Sequence, residues 1–186
     1  DLALERRDLF KKANNIENEV DGLETQEEIF DGNIKISRVK VLNENGEKAI
    51  EKRKGTYITI DIKNLKIAGE DQIQKASEAV TKELKNLIGN LVGPQEDILI
   101  VGLGNLYVTP DALGPKVVNE IDITRHLLNY MPDVLDKDTR PVSAISPGVL
   151  GTTGIETLEV IKGIVENIHP KLIIVIDALA SRSIER

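Results

Sequence analysis

The chain has 186 residues, a net charge of −7, 40% hydrophobic but only 3% aromatic residues, and no cysteine. Lack of cysteine excludes disulfides, thiolate metal sites and a cysteine nucleophile, and the acidic balance argues against nucleic acid as a partner, since phosphate contact needs clustered Lys and Arg. No run approaches the roughly 18 apolar residues of a membrane span, and the charged start Asp1-Leu2-Ala3-Leu4-Glu5-Arg6-Arg7 has no signal-peptide apolar region, so the sequence reads as soluble and intracellular, with no membrane partner and a core of Ile, Leu, Val and Ala.

Residues 1–30 are polar, with scattered apolar positions that predict one short helix around Leu4–Lys12 and surface loop for the remainder. Residues 32–62 read as an antiparallel β-hairpin. Ile34, Ile36, Val39 and Val41 nearly alternate with polar residues, and the slip at Ser37-Arg38 reads as a bulge. Asn45-Gly46 is a turn signal. Gly55 precedes the second run, Tyr57, Ile58, Ile60 and Ile62. Lys52-Arg53-Lys54 is read as a solvated turn. Ile73, Ala76, Val80, Leu84, Leu87 and Ile88 recur at helical steps and predict an amphipathic helix over 71–90, stopped by Gly93-Pro94.

The pattern then changes. Asp97–Val101 is a short continuous apolar run, as expected of a strand covered on both faces. A Gly-rich turn follows, then helical spacing through Leu113, Val117, Val118 and Ile121. Pro141–Ile145 predicts another strand, Gly154–Ile168 another helix, and Lys171–Ile176 a third strand. Alternating strands and helices predict an α/β fold, an open and mostly parallel sheet with helices on both faces. We expect residues 1–186 to form a single domain, with 32–62 as a β-hairpin insertion.

Ligands of open α/β sheets bind outside the carboxyl ends of the strands. That rule selects the loop Gly102–Lys116 and the stretch from Asp177 to Ser183, each of which carries an aspartate: Asp111 and Asp177. Two carboxyls held within roughly 3 Å share a proton. The ionised one can deprotonate water while the protonated one polarises a carbonyl or protonates a leaving amine, a division of labour suited to amide hydrolysis. The alternative for Asp111 is a helix N-cap ahead of Ala112 and Leu113. Lys116 and Arg182 are candidate neighbours, able to hold an aspartate ionised or, for Arg182, to bind a substrate carboxylate; a plain surface role competes for both.

Other chemistries fit less well. Gly102-x-Gly104 lacks the third glycine of a dinucleotide fingerprint, which would fall at Tyr107, and no Walker-type Gly-Lys-Ser/Thr is present. Ser143, Ser146, Ser181 and Ser183 are near strand ends, but His126 lies in a helical stretch and His169 at the wrong end of its strand. There is no G-x-S-x-G elbow. A Ser/Lys pair through Lys116 has no supporting pattern.

A long series of motifs then narrows the choice: Val101-Gly102-Leu103-Gly104-Asn105, Val108-Thr109-Pro110-Asp111-Ala112-Leu113-Gly114-Pro115, Ile123-Thr124-Arg125-His126-Leu127, Arg140–Ile145 with Pro147-Gly148-Val149, Gly151-x-Thr153-Gly154-Ile155-Glu156-Thr157, and Ile176-Asp177-Ala178-Leu179-Ala180-x-Arg182-Ser183-Ile184-Glu185-Arg186. In this order they resemble the germination protease family of endospore-forming bacteria. The resemblance implies an endopeptidase of the spore cytoplasm that degrades small acid-soluble spore proteins, cutting after an acidic and before an apolar residue. It implies that Asp111 and Asp177 are the catalytic pair; Gly104 and Asn105 are, like Lys116 and Arg182, candidate neighbours of the site. It also implies a self-processing zymogen, for which Asp1-Leu2 is the matching bond, and a homotetramer. No cofactor is expected. The fold is similar to that of hydrogenase-maturation endopeptidases, whose nickel ion is held by two acids and a histidine; no histidine follows Asp177 here. The family's chain continues past the last motif, so a C-terminal part is expected to be missing. A metal-dependent peptidase using the same carboxylates, an inactive assembly domain and a nucleotide-binding module are the competing readings.

Overall fold

The computed structural model describes residues 2–89 and 91–179. It is α/β, with one antiparallel and one parallel three-stranded sheet. Contacts divide the chain into two compact units, one running to Leu87 and the other starting at Ile88.

The first unit holds α1 (Ala3–Asn14), β1 (Leu23–Asp31), β2 (Ile34–Val41), α2 (Glu44–Ile50), β3 (Gly55–Ile62) and α3 (Glu70–Ile88). Its sheet has the order β1-β2-β3, antiparallel throughout. Strand β2 is central and apolar on both faces. Ile34 and Ile36 pack with Ala76 and Ala79 of α3, whereas Val39 and Val41 pack with Ala3, Val20, Leu23 and Ile50. Since successive strand residues point to opposite faces, the slip at Ser37-Arg38 marks the point where the apolar side switches face. It is not a bulge: β2 pairs with β3 without a break, and the register shift lies in β1, between Ile29 and Asp31.

Two further expectations are corrected. The stretch read as surface loop contains β1, whose sequence LETQEEIFD is too charged to read as a strand. It is an edge strand, where charged side chains are tolerated and discourage further pairing. Asn45-Gly46 makes no hairpin turn. The Asn43 carboxamide oxygen accepts the N–H groups of Asn45 and Gly46, and this N-cap starts α2 between the two strands.

Helix α3 forms where the spacing predicts it, but its buried face is Ala76, Ala79 and Glu83. Ile73, Val80, Leu84 and Leu87 are exposed. Glu83 is only 3% exposed. Its carboxylate takes two hydrogen bonds from Arg38 of β2, from Nε at 2.9 Å and Nη2 at 2.6 Å. Arg38 also binds Glu28 of β1 at 2.8 Å, and Lys82 reaches the same Glu28 at 2.9 Å. These charges tie α3 to the sheet face that carries Ile34 and Ile36.

The second unit holds β4 (Ile98–Gly102), α4 (Leu113–Glu120), α5 (Arg125–Tyr130), β5 (Val142–Ile145), α6 (Leu150–Thr153), α7 (Thr157–Ile168) and β6 (Leu172–Ile176). The sheet is parallel, in the order β5-β4-β6. Leu99 and Val101 of the central strand are fully buried, as their continuous apolar run implies for a strand flanked on both sides.

Candidate active site

Strand β5 lies on one side of β4 and β6 on the other, so successive connections run in opposite directions. The connections part at the carboxyl edge between β4 and β6, the usual ligand position in such sheets. Gly102 at the end of β4 pairs with Ile176 at the end of β6. One more hydrogen bond, from Leu103 N–H to Ile176 O at 2.8 Å, continues the pairing past the strands. Asp177 is the next residue after Ile176. Its side chain is exposed, and Oδ1 accepts the N–H of Ala178 at 2.8 Å.

Asp111 comes from the loop after β4, and that loop is closed on itself. It turns at Gly104, whose φ of +117° lies in the region that favours glycine; a Cβ there would be 2.0 Å from the Asp111 carbonyl oxygen. Asn105 N–H then donates both to Asp111 Oδ2 at 2.8 Å and to the Asp111 carbonyl at 3.1 Å. Tyr107 N–H donates to Asn105 Oδ1 at 3.0 Å. Val108 N–H donates to the Asn105 carbonyl at 3.1 Å, and Asp111 N–H to the Val108 carbonyl at 2.8 Å. The short 3₁₀ turn Thr109–Asp111 ends at the aspartate itself.

This corrects the cap reading of Asp111. The N-cap of α4 is Ala112, which makes no side-chain cap. The Asp111 carboxylate faces back into its own loop instead. Helix α4 is set against both strand ends at its second residue: a Cβ on Gly114 would be 2.3 Å from the Leu103 carbonyl oxygen and 2.6 Å from that of Ile176. The two candidate aspartates thus flank one backbone junction, Asp111 three residues before Gly114 and Asp177 one residue after Ile176. Asn105, named from the sequence only as a neighbour, is the anchor of the Asp111 side chain. The role of Gly114 was not read from the sequence; a Gly-Pro pair in the first turn of a predicted helix is the signal that marked it.

The remaining candidates are more scattered. Lys116 is an exposed residue of α4, and among the described residues no ion pair joins it to Asp111. His126 is exposed on α5, and His169 is the C-cap of α7, at the amino end of β6. Ser143 lies within β5. Leu2 is the N-cap of α1 and donates its N–H to Glu5 Oε2 at 3.0 Å. Asp1 and Arg182 lie outside the described residues. Among the described residues no three His, Cys, Asp or Glu side chains cluster as ligands of a metal ion would, and no helix is long and apolar enough to cross a membrane.

Comparison with known proteins gives a consistent result. A family model described as germination protease matches residues 3–186. A germination protease of Clostridium perfringens (strain SM101 / Type A) is 50% identical over 100% of this chain and 56% of its own length. That of Caldanaerobacter subterraneus subsp. tengcongensis is 51% identical over 100% of this chain and 55% of its own. That of Priestia megaterium is 45% identical over 100% of this chain and 51% of its own. The chain therefore spans a little over half the length of these relatives.

Proposed function

The chain belongs to the germination protease family, and from that premise we propose that it carries the catalytic pair of an endopeptidase, Asp111 and Asp177. The observation that supports this reading is the hydrogen-bonded junction of β4 and β6, with one aspartate following each strand. A water held between the two carboxyls is the nucleophile. The ionised carboxylate takes its proton as the oxygen attacks the scissile carbonyl carbon, and the protonated carboxyl donates to the carbonyl oxygen. As the resulting diol collapses, one of its hydroxyls gives its proton to the carboxylate left ionised, the C–N bond breaks, and the amine leaves with the proton taken from water by the other carboxyl. No metal takes part in these steps.

The substrates in this reading are small acid-soluble spore proteins in the spore cytoplasm, cut after an acidic and before an apolar residue. The protein is made as a zymogen that cleaves its own chain at Asp1-Leu2, and it works as a homotetramer. The parallel sheet of the second unit is in this reading an open α/β sheet with helices on both faces, akin to that of hydrogenase-maturation endopeptidases. Residues 1–186 serve one peptidase domain in this reading, with the β-hairpin of residues 32–62 as its insertion. The test is cleavage of a small acid-soluble spore protein by the intact protein and by its Asp111→Asn and Asp177→Asn variants. Undiminished cleavage by either variant overturns the assignment.

A further inference from the structure

Asn105 is tied to the chain on both sides of the site. Its N–H is 2.8 Å from Asp111 Oδ2. Two residues before it, Leu103 donates to the carbonyl of Ile176, the residue that precedes Asp177. The other carboxylate oxygen of Asp111 lies against the preceding glycine, where a Cβ on Gly104 would be 3.1 Å from Oδ1. Three of the four polar groups of Asn105 are engaged within the loop: its N–H with Asp111, its carbonyl with the N–H of Val108, and its side-chain Oδ1 with the N–H of Tyr107 at 3.0 Å. A backbone N–H can bond only to the oxygen of a carboxamide, so the Tyr107 contact fixes which end of the side chain is the donor. That donor, Nδ2, has no acceptor among the described residues and is open to solvent.

We propose that Asn105 is a third catalytic residue: its Nδ2 donates a hydrogen bond to the scissile carbonyl oxygen as negative charge develops there during attack by water. This rests on the aspartate-pair reading above, which supplies the nucleophile and the shared proton. A donor held in place before the reaction stabilises the developing charge without having to reorient, and the Tyr107 N–H holds this one. Its chemistry also suits the pair. From Gly102 to Pro110 the loop carries no charged residue. A cation beside the two carboxyls would favour ionisation of both and so remove the proton that they share in this reaction. A neutral carboxamide adds a donor and leaves that proton where it is.

The test measures kcat and KM on a small acid-soluble spore protein, together with urea unfolding, for the intact protein and two variants. In Asn105→Ser the hydroxyl oxygen can still accept the Tyr107 N–H, but the side chain is too short to take the place of Nδ2. Its kcat should fall about 100- to 1,000-fold, the effect of removing one such donor, with KM and the urea midpoint close to those of the parent. A parent-like kcat, or a loss confined to KM, would overturn the proposal. If Asn105→Ser lowers the urea midpoint, Asn105→Asp decides. It fills the same space and keeps an oxygen for Tyr107, but turns the donor into an acceptor. Its rate relative to the parent should be lowest at neutral pH and recover as the pH falls, because a protonated carboxyl again has a hydrogen to donate. A parent-like rate at neutral pH, or a ratio that does not change with pH, would overturn the proposal. Failure of the underlying reading shows separately, as undiminished cleavage by Asp111→Asn or Asp177→Asn.

Discussion

Asp111 anchors the loop that presents it: its carboxylate Oδ2 accepts the backbone N–H of Asn105 at 2.8 Å, and its own carbonyl shares that N–H at 3.1 Å. The side chain therefore has a structural contact alongside its proposed chemical role, and the two can be separated. Asp111→Asn keeps an oxygen for the Asn105 N–H and removes the ionisable group, whereas Asp111→Ala removes both. Both variants should lose proteolysis. Only the alanine variant should also lose stability, by about 1–2 kcal/mol, the usual effect of losing one hydrogen bond partner. Turnover and urea unfolding, measured on the same preparations, check this; an asparagine variant that keeps more than about a tenth of the parent rate rejects the catalytic role.

Asp177 differs in its surroundings. It is exposed, and its one described hydrogen bond is to the neighbouring Ala178 N–H. Asp177→Asn should leave the unfolding free energy within about 0.5 kcal/mol of the parent and abolish cleavage. A fall in stability comparable with that of Asp111→Ala would show that the carboxylate holds the fold instead.

Gly114→Ala tests the junction of α4 with both strand ends. The added methyl would sit 2.3 Å from the Leu103 carbonyl oxygen and 2.6 Å from that of Ile176, and both are backbone atoms that cannot swing aside. We expect a loss of about 1–3 kcal/mol, with activity falling as the two aspartates move apart. Denaturant unfolding with the parent's stability and rate would show that the approach is not as close as described.

In the first unit the Arg38–Glu83 pair makes stability depend on pH. Hydrogen bonds from Arg38 hold the Glu83 carboxyl below its ordinary value of 4.5, against the opposing effect of burial. The folded chain therefore binds this proton less readily than the unfolded chain. Its contribution is fully present above about pH 4.5 and is lost as the pH falls through the lowered folded value. Glu83→Gln should cost about 2–3 kcal/mol at pH 7, since it removes a carboxylate that accepts two charged hydrogen bonds. It should also make the decline between pH 6 and pH 3 shallower. Urea midpoints across that range decide the matter, and parallel curves for parent and variant would reject it.

The metal-free reading of the hydrolysis has its own test. Dialysis of the intact protein against a strong chelator should leave its turnover unchanged. Loss of activity, restored by a single divalent ion, would assign the two carboxylates to metal binding.

Periodicity is local, and what depended on it was legible in the sequence. The spacing of α3, α4 and α7 follows from residues that recur at steps of three and four, and β4 and the strand after Pro170 follow from short continuous apolar runs. The strand-end rule led from those runs to Asp111 and Asp177, and the motifs around them led to the family. What stayed hidden depends on partners distant in the chain. Strand β1 has almost no apolar pattern and exists because β2 offers it a ladder. Helix α3 shows an apolar stripe of Ile73, Val80, Leu84 and Leu87, yet packs through Ala76, Ala79 and Glu83, because small residues allow close approach to β2 and Glu83 meets Arg38 there. The same holds for Asp111. Its position before Ala112-Leu113 suggests a cap, but the positive φ of Gly104 brings Asn105 back to the carboxylate first. Residue types and their spacing determine which elements form; which face is buried and which donor a carboxylate finds are settled only when the chain closes on itself.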